Sequence, residues 1–307
     1  MRLNQARKIK RKAMQSATQT NEQLSQNVQF SALDGYQLKG TRYFTTTPAK
    51  ANIVVAGATG VPHEFYRRFA EYMTQYGYQV FTFDYRGVGK SSPKSLKGFD
   101  MSYLDWGQYD LAGAIEYLSQ EPLPLLMVGH SYGGHALGLL PNHEKLLACY
   151  TFGTGAGWHG YMPLKERFKV QVVWNIVFPP IVAVTGYLPW SKFNMGSDLP
   201  LNVYKQWRKW CKNPKYFFAD PEQQHLIEQY ASVKTPIYAV SALDDDWALP
   251  ASCRAFMQHY RQAPVTYISL QPQDVSMKTI GHMGYFKKGA EQIWSKIRTT
   301  FDDLVQA

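Results

Sequence analysis

The segment at residues 125–134 constrains the fold of this chain more than any other. Four apolar residues, Leu125 to Val128, predict a short buried strand, and helical periodicity follows directly after the next few residues. Between them lies the sequence Gly129-His130-Ser131-Tyr132-Gly133, whose two glycines leave room for a very tight backbone turn. A serine in such a strand–turn–helix connection projects its hydroxyl group away from the backbone. The pattern predicts that Ser131 is presented to a site rather than packed in the core.

Strands and helices are predicted to alternate on both sides of this turn. Strands are predicted at 28–32 and 36–43, joined by the turn dipeptide Asp34-Gly35, and at 53–56, 78–83, 125–128, 147–152, 237–241 and 265–270. Helices are predicted at 65–76, 104–118, 135–140, 251–262 and 286–304. Strands that alternate with helices imply an α/β fold, with a mostly parallel sheet covered by helices on both faces.

The alternation stops between about Trp158 and Ser232, which predicts an insertion between two strands of the sheet. We therefore divide the chain into a tail at 1–26, a core formed by 27–157 and 233–307, and an inserted cap at 158–232. Inside the cap, residues 172–188 are apolar but contain Pro179-Pro180. A proline pair near the middle of so short a run favours two short helices over a transmembrane segment.

The net charge of +10 is concentrated at the amino terminus. Six cations precede the first acidic residue, Glu22, which leaves +4 for the rest of the chain. The tail is polar and has no apolar run behind its basic start, so we expect a disordered arm rather than a secretory signal. No nucleic-acid partner is expected, whereas weak contact of the tail with an anionic membrane surface stays open. Oligomeric state is not predicted.

A serine hydroxyl group is a weak nucleophile near neutral pH and needs a neighbouring base. The candidate is His282, in a glycine-flanked loop after the last predicted strand and before the last predicted helix. The other histidines are predicted on helices, on surface loops or too early in the chain. One of them, His130, lies inside the turn itself, and its side chain is expected to point away from the pocket.

An acid that orients the histidine is predicted in the loop after the strand that follows Pro236. Three aspartates stand there together, Asp244, Asp245 and Asp246. Three adjacent carboxylates cannot all be buried, because like charges repel one another and desolvation is costly. One of them should face the imidazole ring, and the others should face solvent or a backbone N–H group.

Over about residues 28–304 the chain resembles the α/β-hydrolase superfamily. The motifs that carry the resemblance are GATG at 57–60, DYRGVGKS at 84–91, GHSYGG at 129–134, ALDDDW at 242–247 and IGHMGYF at 280–286. Within the superfamily it is similar to the uncharacterised bacterial branch near the serine aminopeptidases and monoacylglycerol lipases. It departs from many relatives at Ala56, where they have a histidine that supports the fold of the site without acting in catalysis.

The resemblance implies roles for particular residues. The order Ser131, acid, His282 is the order of that family, and the acid of similar hydrolases falls where Asp245 lies, with Asp244 the next choice. Two backbone N–H groups would bind the oxyanion, from Tyr132 and from Ala58. The resemblance implies hydrolysis of an ester or amide with neither a cofactor nor a metal ion.

The predicted function is that of a serine esterase acting on a small-molecule ester, which could be lipid-like or an aryl ester. An acyltransferase or a peptidase with the same residues is the alternative, and a non-catalytic binding protein is a more distant one. The apolar run of the cap, with Trp174, Phe178, Tyr187 and Trp190, forms either a wall of the substrate pocket or a small core of its own. The three cysteines include no CxxC pair, which predicts reduced thiols and a cytoplasmic location.

Overall fold

The computed structural model describes residues 24–306, and an eight-stranded sheet lies at the centre of the molecule. Its strands are β1 (Ser25–Ser31), β2 (Gln37–Tyr43), β3 (Ala51–Ala56), β4 (Tyr78–Phe83), β5 (Leu125–His130), β6 (Leu146–Phe152), β7 (Ile237–Ala242) and β8 (Val265–Leu270). They are arranged in the order β1-β2-β4-β3-β5-β6-β7-β8. β1, β2 and β4 pair antiparallel, and the strands from β4 to β8 pair parallel. The mostly parallel sheet predicted from the alternation is confirmed.

The first two strands form the predicted hairpin, with Gly35 in the left-handed region at φ 88°. β1 begins at Ser25, and Ser25 and Gln26 pair with Tyr43 and Arg42 of β2. The boundary of the tail at residue 26 was therefore placed two residues too late, because backbone pairing with β2 extends into a polar sequence that has no alternating pattern. The rest of the predicted tail, residues 1–23, lies outside the described residues.

Helices cover both faces of the sheet. They are α1 (Arg67–Thr74), α2 (Ala112–Leu118), α3 (Tyr132–Ala136), α4 (Leu164–Thr185), α5 (Leu201–Trp210), α6 (His225–Ser232), α7 (Pro250–Met257) and α8 (Glu291–Gln306). α1 and α8 bury Phe69 and Trp294 against one face, whereas α2 and α7 bury Ile115 and Phe256 against the other. Neighbouring residues of the central strands point to opposite faces, so an almost continuous apolar run such as β3 is buried on both sides.

Between β6 and β7 the described chain contributes no strand to the sheet. We call residues 158–232 the inserted segment; it contains α4, α5 and α6 and one short bridge between Leu188 and Leu199. Its helices are packed through aromatic side chains, with Trp174 stacked on Tyr204 and in edge contact with Trp207.

The prediction that Pro179-Pro180 separates two short helices is wrong. α4 runs without interruption from Leu164 to Thr185, and a wider π-helical turn occupies Val173–Val177 directly before the prolines. The prolines thereby occupy the first turn of a new α-helical stretch, Phe178–Thr185, where a missing backbone N–H group costs little. Gly186 ends the helix in the left-handed conformation at φ 79°.

The parallel strands determine where the polar loops meet. In a parallel sheet the carboxyl ends of neighbouring strands lie along one edge, and ligands bind in the crevice there. The loop at 57–60 follows β3, Ser131 follows β5, the aspartates 244–246 follow β7 and His282 follows β8. Four segments distant in the sequence therefore meet at one edge of the sheet.

Candidate active site

Ser131 lies in a sharply strained turn between β5 and α3. Its backbone angles, φ 53° and ψ −111°, are rare for a residue other than glycine and store about 1–3 kcal/mol of strain. Three hydrogen bonds hold the turn: Ser131 N–H donates to the Phe152 carbonyl oxygen, and the Ser131 carbonyl oxygen accepts from Gly134 N–H and the Thr154 hydroxyl group. A side chain at Gly133 would place Cβ 1.9 Å from the Ala56 carbonyl oxygen, so the turn can approach β3 only with glycine there.

His282 and Asp245 complete a line of hydrogen bonds that begins at Ser131. His282 Nε2 lies 3.0 Å from Ser131 Oγ, and His282 Nδ1 lies 2.9 Å from Asp245 Oδ2. Asp245 is fully buried, and its Oδ1 accepts hydrogen bonds from the N–H groups of Trp247 and Ala248. With the proton of His282 on Nδ1 donated to the carboxylate, Nε2 can accept the serine proton.

The neighbouring residues Asp244 and Asp245 accept hydrogen bonds from different groups. Asp244 turns to the loop that carries His282, where it accepts from Thr279 Oγ1 at 2.8 Å and from the N–H groups of Ile280 and Gly281. Burial alone would raise the pKa of Asp244, but these hydrogen bonds outweigh burial and lower it. Asp245 thus contacts the imidazole ring, whereas Asp244 holds the loop that carries His282 through backbone hydrogen bonds.

His130 also contributes to the position of His282, a role that the sequence did not suggest. The ring is fully buried beside the turn; its Nε2 lies 2.8 Å from the His282 carbonyl oxygen, and its Nδ1 lies 2.9 Å from Tyr66 Oη. Burial, with a smaller effect of the nearby His282, lowers the pKa of His130 to about 3. The neutral ring can therefore donate from Nε2 to His282 and accept from Tyr66 at Nδ1.

The expected donor at Ala58 is already engaged. Its backbone N–H group donates to Tyr66 Oη at 2.8 Å, so it does not point freely into the site as we predicted from the sequence. The phenol group of Tyr66 follows eight residues later on a 3₁₀ turn, and no local pattern could indicate that it would fold back on this loop. By contrast, no hydrogen bond to the N–H group of Tyr132, the other predicted donor, is present among residues 24–306.

A cavity of about 280 Å³ opens beside Ser131 and His282. Its wall combines residues of the inserted segment with Trp247, which follows β7; the large side chains are Met162, Val170, Trp174, Trp207, Tyr216 and Trp247. The aromatic residues of the inserted segment divide between the two expected places. Trp174 lines the cavity and also packs on the core, whereas Phe178 and Trp190 are buried in that core with Tyr204. Trp207 and Trp247 were not predicted, since neither shows a periodic pattern that distinguishes a cavity wall.

One group of possible metal ligands lies within the described part of the chain, formed by His63, Glu64 and Asp84. His63 Nδ1 lies 2.9 Å from Asp84 Oδ2, and the Asp84 carboxylate also accepts from the backbone N–H groups of His63 and Lys90. This arrangement ties β4 to the turn after β3, and we assign it that structural role.

Two buried histidines make the stability of the protein depend on pH. Burial is the main cause that lowers the pKa of His130 to about 3 and that of His135 to about 4, against about 6.5 in an unfolded chain. As the pH falls below 6.5, the unfolded state takes up protons that the folded state does not, so the free energy of unfolding decreases. Each histidine contributes a slope of up to about 1.4 kcal/mol per pH unit. Urea unfolding at pH 7.0, 6.0 and 5.0 measures this loss.

The variant His135→Gln is the control, because an amide can still donate to the Gly155 carbonyl oxygen that His135 Nε2 contacts. We expect its slope between pH 6.5 and 5 to be smaller than that of the unsubstituted protein by up to about 1.4 kcal/mol per pH unit, since one titrating group is gone while His130, His143 and His259, whose pKa values burial also lowers, remain. An identical slope in the two proteins would contradict the assignment of a neutral, buried His135.

The model of the alpha/beta hydrolase family matches residues 53–285. No curated protein sequence matches the chain. Among solved structures, a soluble variant of monoglyceride lipase from Saccharomyces cerevisiae is similar with a TM-score of 0.65 at 14% identity, over 90% of this chain and 94% of that one. An esterase from Pyrococcus furiosus is similar with a TM-score of 0.61 at 14% identity, over 92% and 93% of the two chains. A thermophilic esterase from Thermogutta terrifontis gives 0.57 at 14% identity, over 91% and 99%.

Proposed function

Because the chain belongs to the α/β-hydrolase family of enzymes, we propose that it hydrolyses carboxylic esters through a covalent intermediate on Ser131. The observation that carries the proposal is the line of contacts from Ser131 Oγ through His282 to the buried carboxylate of Asp245. The esterases and the monoglyceride lipase of similar fold bear names that point to esters, and we extend that class of substrate to this chain as part of the proposal.

In the proposed reaction, His282 Nε2 takes the proton of Ser131 as Oγ attacks the ester carbonyl carbon. The negative charge that develops on the carbonyl oxygen is stabilised by Tyr132 N–H, and Asp245 stabilises the imidazolium ion. The carbon–oxygen bond to the alcohol then breaks, and His282 gives its proton to the departing oxygen. This leaves an acyl group on Ser131.

The second half of the reaction releases the acid. His282 takes a proton from a water molecule, whose oxygen attacks the acyl carbon, and then returns the proton to Ser131 Oγ as the acyl–serine bond breaks. No redox change occurs, and the products are one carboxylic acid and one alcohol. The proposed reaction uses only protein groups and water.

The inserted segment acts in this proposal as a cap over the site. Trp174 of α4 and Trp207 of α5 line the cavity that contains Ser131, and aromatic walls of this kind favour apolar acyl or aryl groups. We retain the division into core and cap at 158–232 as part of the proposal. We also retain a cytoplasmic location, since Cys149, Cys211 and Cys253 are free thiols.

A series of p-nitrophenyl esters of increasing chain length tests the proposal. At about 280 Å³ the cavity is near the lower end of ligand pockets, so we expect kcat/KM to rise with chain length up to medium acyl groups and to fall for long ones. Trp207→Ala removes part of the wall and should shift the optimum to longer chains, at about threefold or greater gain for the longer ester. Phe193→Ala, outside the cavity lining, is the matched control.

Two outcomes would contradict parts of this proposal. An absence of hydrolysis across the series, together with no labelling of the folded protein by a fluorophosphonate, would oppose a serine hydrolase altogether. Transfer of the acyl group to an added alcohol or thiol in preference to water would favour the acyltransferase instead.

A further inference from the structure

The outer face of α4 carries a row of exposed apolar side chains. We call Leu164, Phe168, Val172, Ile176, Pro180 and Val184 the apolar ridge; its members recur at every fourth residue and extend over about 30 Å of helix. Leu164, Phe168, Ile176 and Val184 are 82%, 72%, 67% and 83% exposed. A row of largely exposed apolar side chains of this length is rare on a protein with no partner for it and points to a binding surface.

The inner face of the same helix is anchored in the domain. Trp174, Phe178 and Val182 are buried against the rest of the inserted segment, and Trp174 lines the cavity next to Ser131. The helix is thus held on one side, and its exposed ridge is the side that remains for contact with a partner.

α4 is long and apolar enough to cross a membrane by length and composition, with a mean hydropathy of 1.4. The sheet excludes that arrangement. β6 precedes α4 in the chain and β7 follows it, and the two strands pair with each other, from Cys149 opposite Ile237 to Phe152 opposite Val240. A single crossing would place these paired strands on opposite sides of the membrane. The helix can therefore contact a bilayer only along its surface.

Positive charges flank the ridge at both ends. Lys165 and Lys169 stand beside its amino-terminal part, and Lys97, whose side chain packs at Gly186, and Lys192 stand near the other end. The acidic residue of the helix, Glu166, is mostly covered and bonds Trp247 Nε1 and Lys169. The exposed charge beside the amino-terminal part of the ridge is therefore positive. At the other end the two lysines stand with one carboxylate, that of Asp198, which accepts a hydrogen bond from Ser191.

This charge distribution favours a lipid surface over a second copy of the chain. In a two-fold dimer through the ridge, the helices would pack antiparallel or parallel, depending on the direction of the axis, and in either arrangement lysines of one copy would face lysines of the other. An anionic lipid surface instead accepts both the apolar ridge and the flanking cations, as it does for helices that lie in the plane of the interface.

We propose that the apolar ridge docks on the surface of an anionic lipid bilayer, with α4 parallel to the membrane plane. Phe168 and Ile176 enter the acyl boundary, and Lys165, Lys169 and Lys192 contact the phosphate groups. Docking places the helix that forms part of the cavity wall, through Val170 and Trp174, at the membrane surface. The proposal does not depend on the esterase reaction, because binding requires none of the residues at Ser131.

Flotation of the full chain with vesicles tests the proposal. The vesicles contain phosphatidylcholine alone or phosphatidylcholine with phosphatidylserine. We expect binding to the anionic vesicles, weakened but not abolished by added salt, because screening acts on the lysines and not on the apolar contact. Phe168→Asp and Ile176→Asp should each weaken binding by about tenfold or more. Leu33→Asp, at a residue 47% exposed on the β1–β2 turn, is the matched control and should bind normally.

Three results would overturn the proposal. The first is equal binding by the ridge variants and the unsubstituted chain, with binding lost instead when the six tail cations before Glu22 are replaced by glutamine. The second is a dimer by light scattering without lipid that becomes a monomer in Ile176→Asp, which assigns the ridge to a second copy. The third is no binding to either vesicle.

Hydrolysis of soluble p-nitrophenyl acetate by the same variants separates this proposal from the proposed function. We expect Phe168→Asp and Ile176→Asp to retain it, since neither residue lines the cavity, while Ser131→Ala should float with anionic vesicles like the unsubstituted chain.

Discussion

Ser131→Ala is expected to lower kcat/KM for ester hydrolysis by about 10⁴-fold or more, to near the background rate. The hydroxyl group is the atom that would bond to the acyl carbon, and no other serine or cysteine is in hydrogen-bond contact with His282 among residues 24–306. Fluorophosphonate labelling of the folded chain should disappear in the same variant. Steady-state kinetics with the preferred p-nitrophenyl ester measures the effect.

The matched control is Ser276→Ala. Ser276 also has a left-handed backbone, at φ 56°, but it lies on the exposed turn after β8, where its hydroxyl group accepts a hydrogen bond from Gln292. Its replacement should leave both activity and labelling within about twofold of normal, since surface changes away from a site have small effects. If Ser131→Ala retained a tenth of the activity, or Ser276→Ala removed it, the assignment of the nucleophile would be wrong.

Asp245→Asn is expected to lower kcat by about 10⁴-fold while the protein stays folded. An asparagine at this position can donate to His282 Nδ1, which favours the ring tautomer with the proton on Nε2, where it blocks uptake of the serine proton. Asp244→Asn should have a much smaller effect, about tenfold or less, because Asp244 contacts the loop and not the ring. Kinetics of the two variants, with circular dichroism to verify folding, measure the difference.

The main effect of Asp244→Asn should be a loss of stability. The amide keeps one acceptor oxygen for the Gly281 or Ile280 N–H group and loses others, so we expect a decrease of about 1–3 kcal/mol in the free energy of unfolding. The opposite pattern, an inactive Asp244→Asn beside an active Asp245→Asn, would assign the acid to Asp244.

Much of the fold was predictable because its signals are local. The strands β4 and β8 have the bounds that periodicity indicated, and the hairpin turns at Asp34-Gly35 as expected. Buried parallel strands are almost continuously apolar and end at glycines or polar turns, so a short window of sequence suffices to find them.

The errors arose where distant parts of the chain act on one another. Pro179-Pro180 did not separate two helices, because a wider turn before the pair accommodates it while Phe178 packs under Trp190. Ala58 N–H is taken by Tyr66, whose phenol group returns to the loop from a later turn. A backbone conformation or a hydrogen bond that depends on tertiary packing leaves no pattern in a single window of residues.

The sequence by itself determined the strand–turn–helix setting of Ser131, the α/β alternation and the order in which serine, aspartates and histidine arrive. These follow from local propensity, from glycine at tight turns and from the connectivity of a parallel sheet. The tertiary structure alone placed Asp245 rather than Asp244 in contact with His282, gave His130 its place behind His282 and left the ridge of α4 uncovered. Each of these depends on which side chains are brought within about 3 Å of one another, or are left without a neighbour, when segments far apart in the chain pack together.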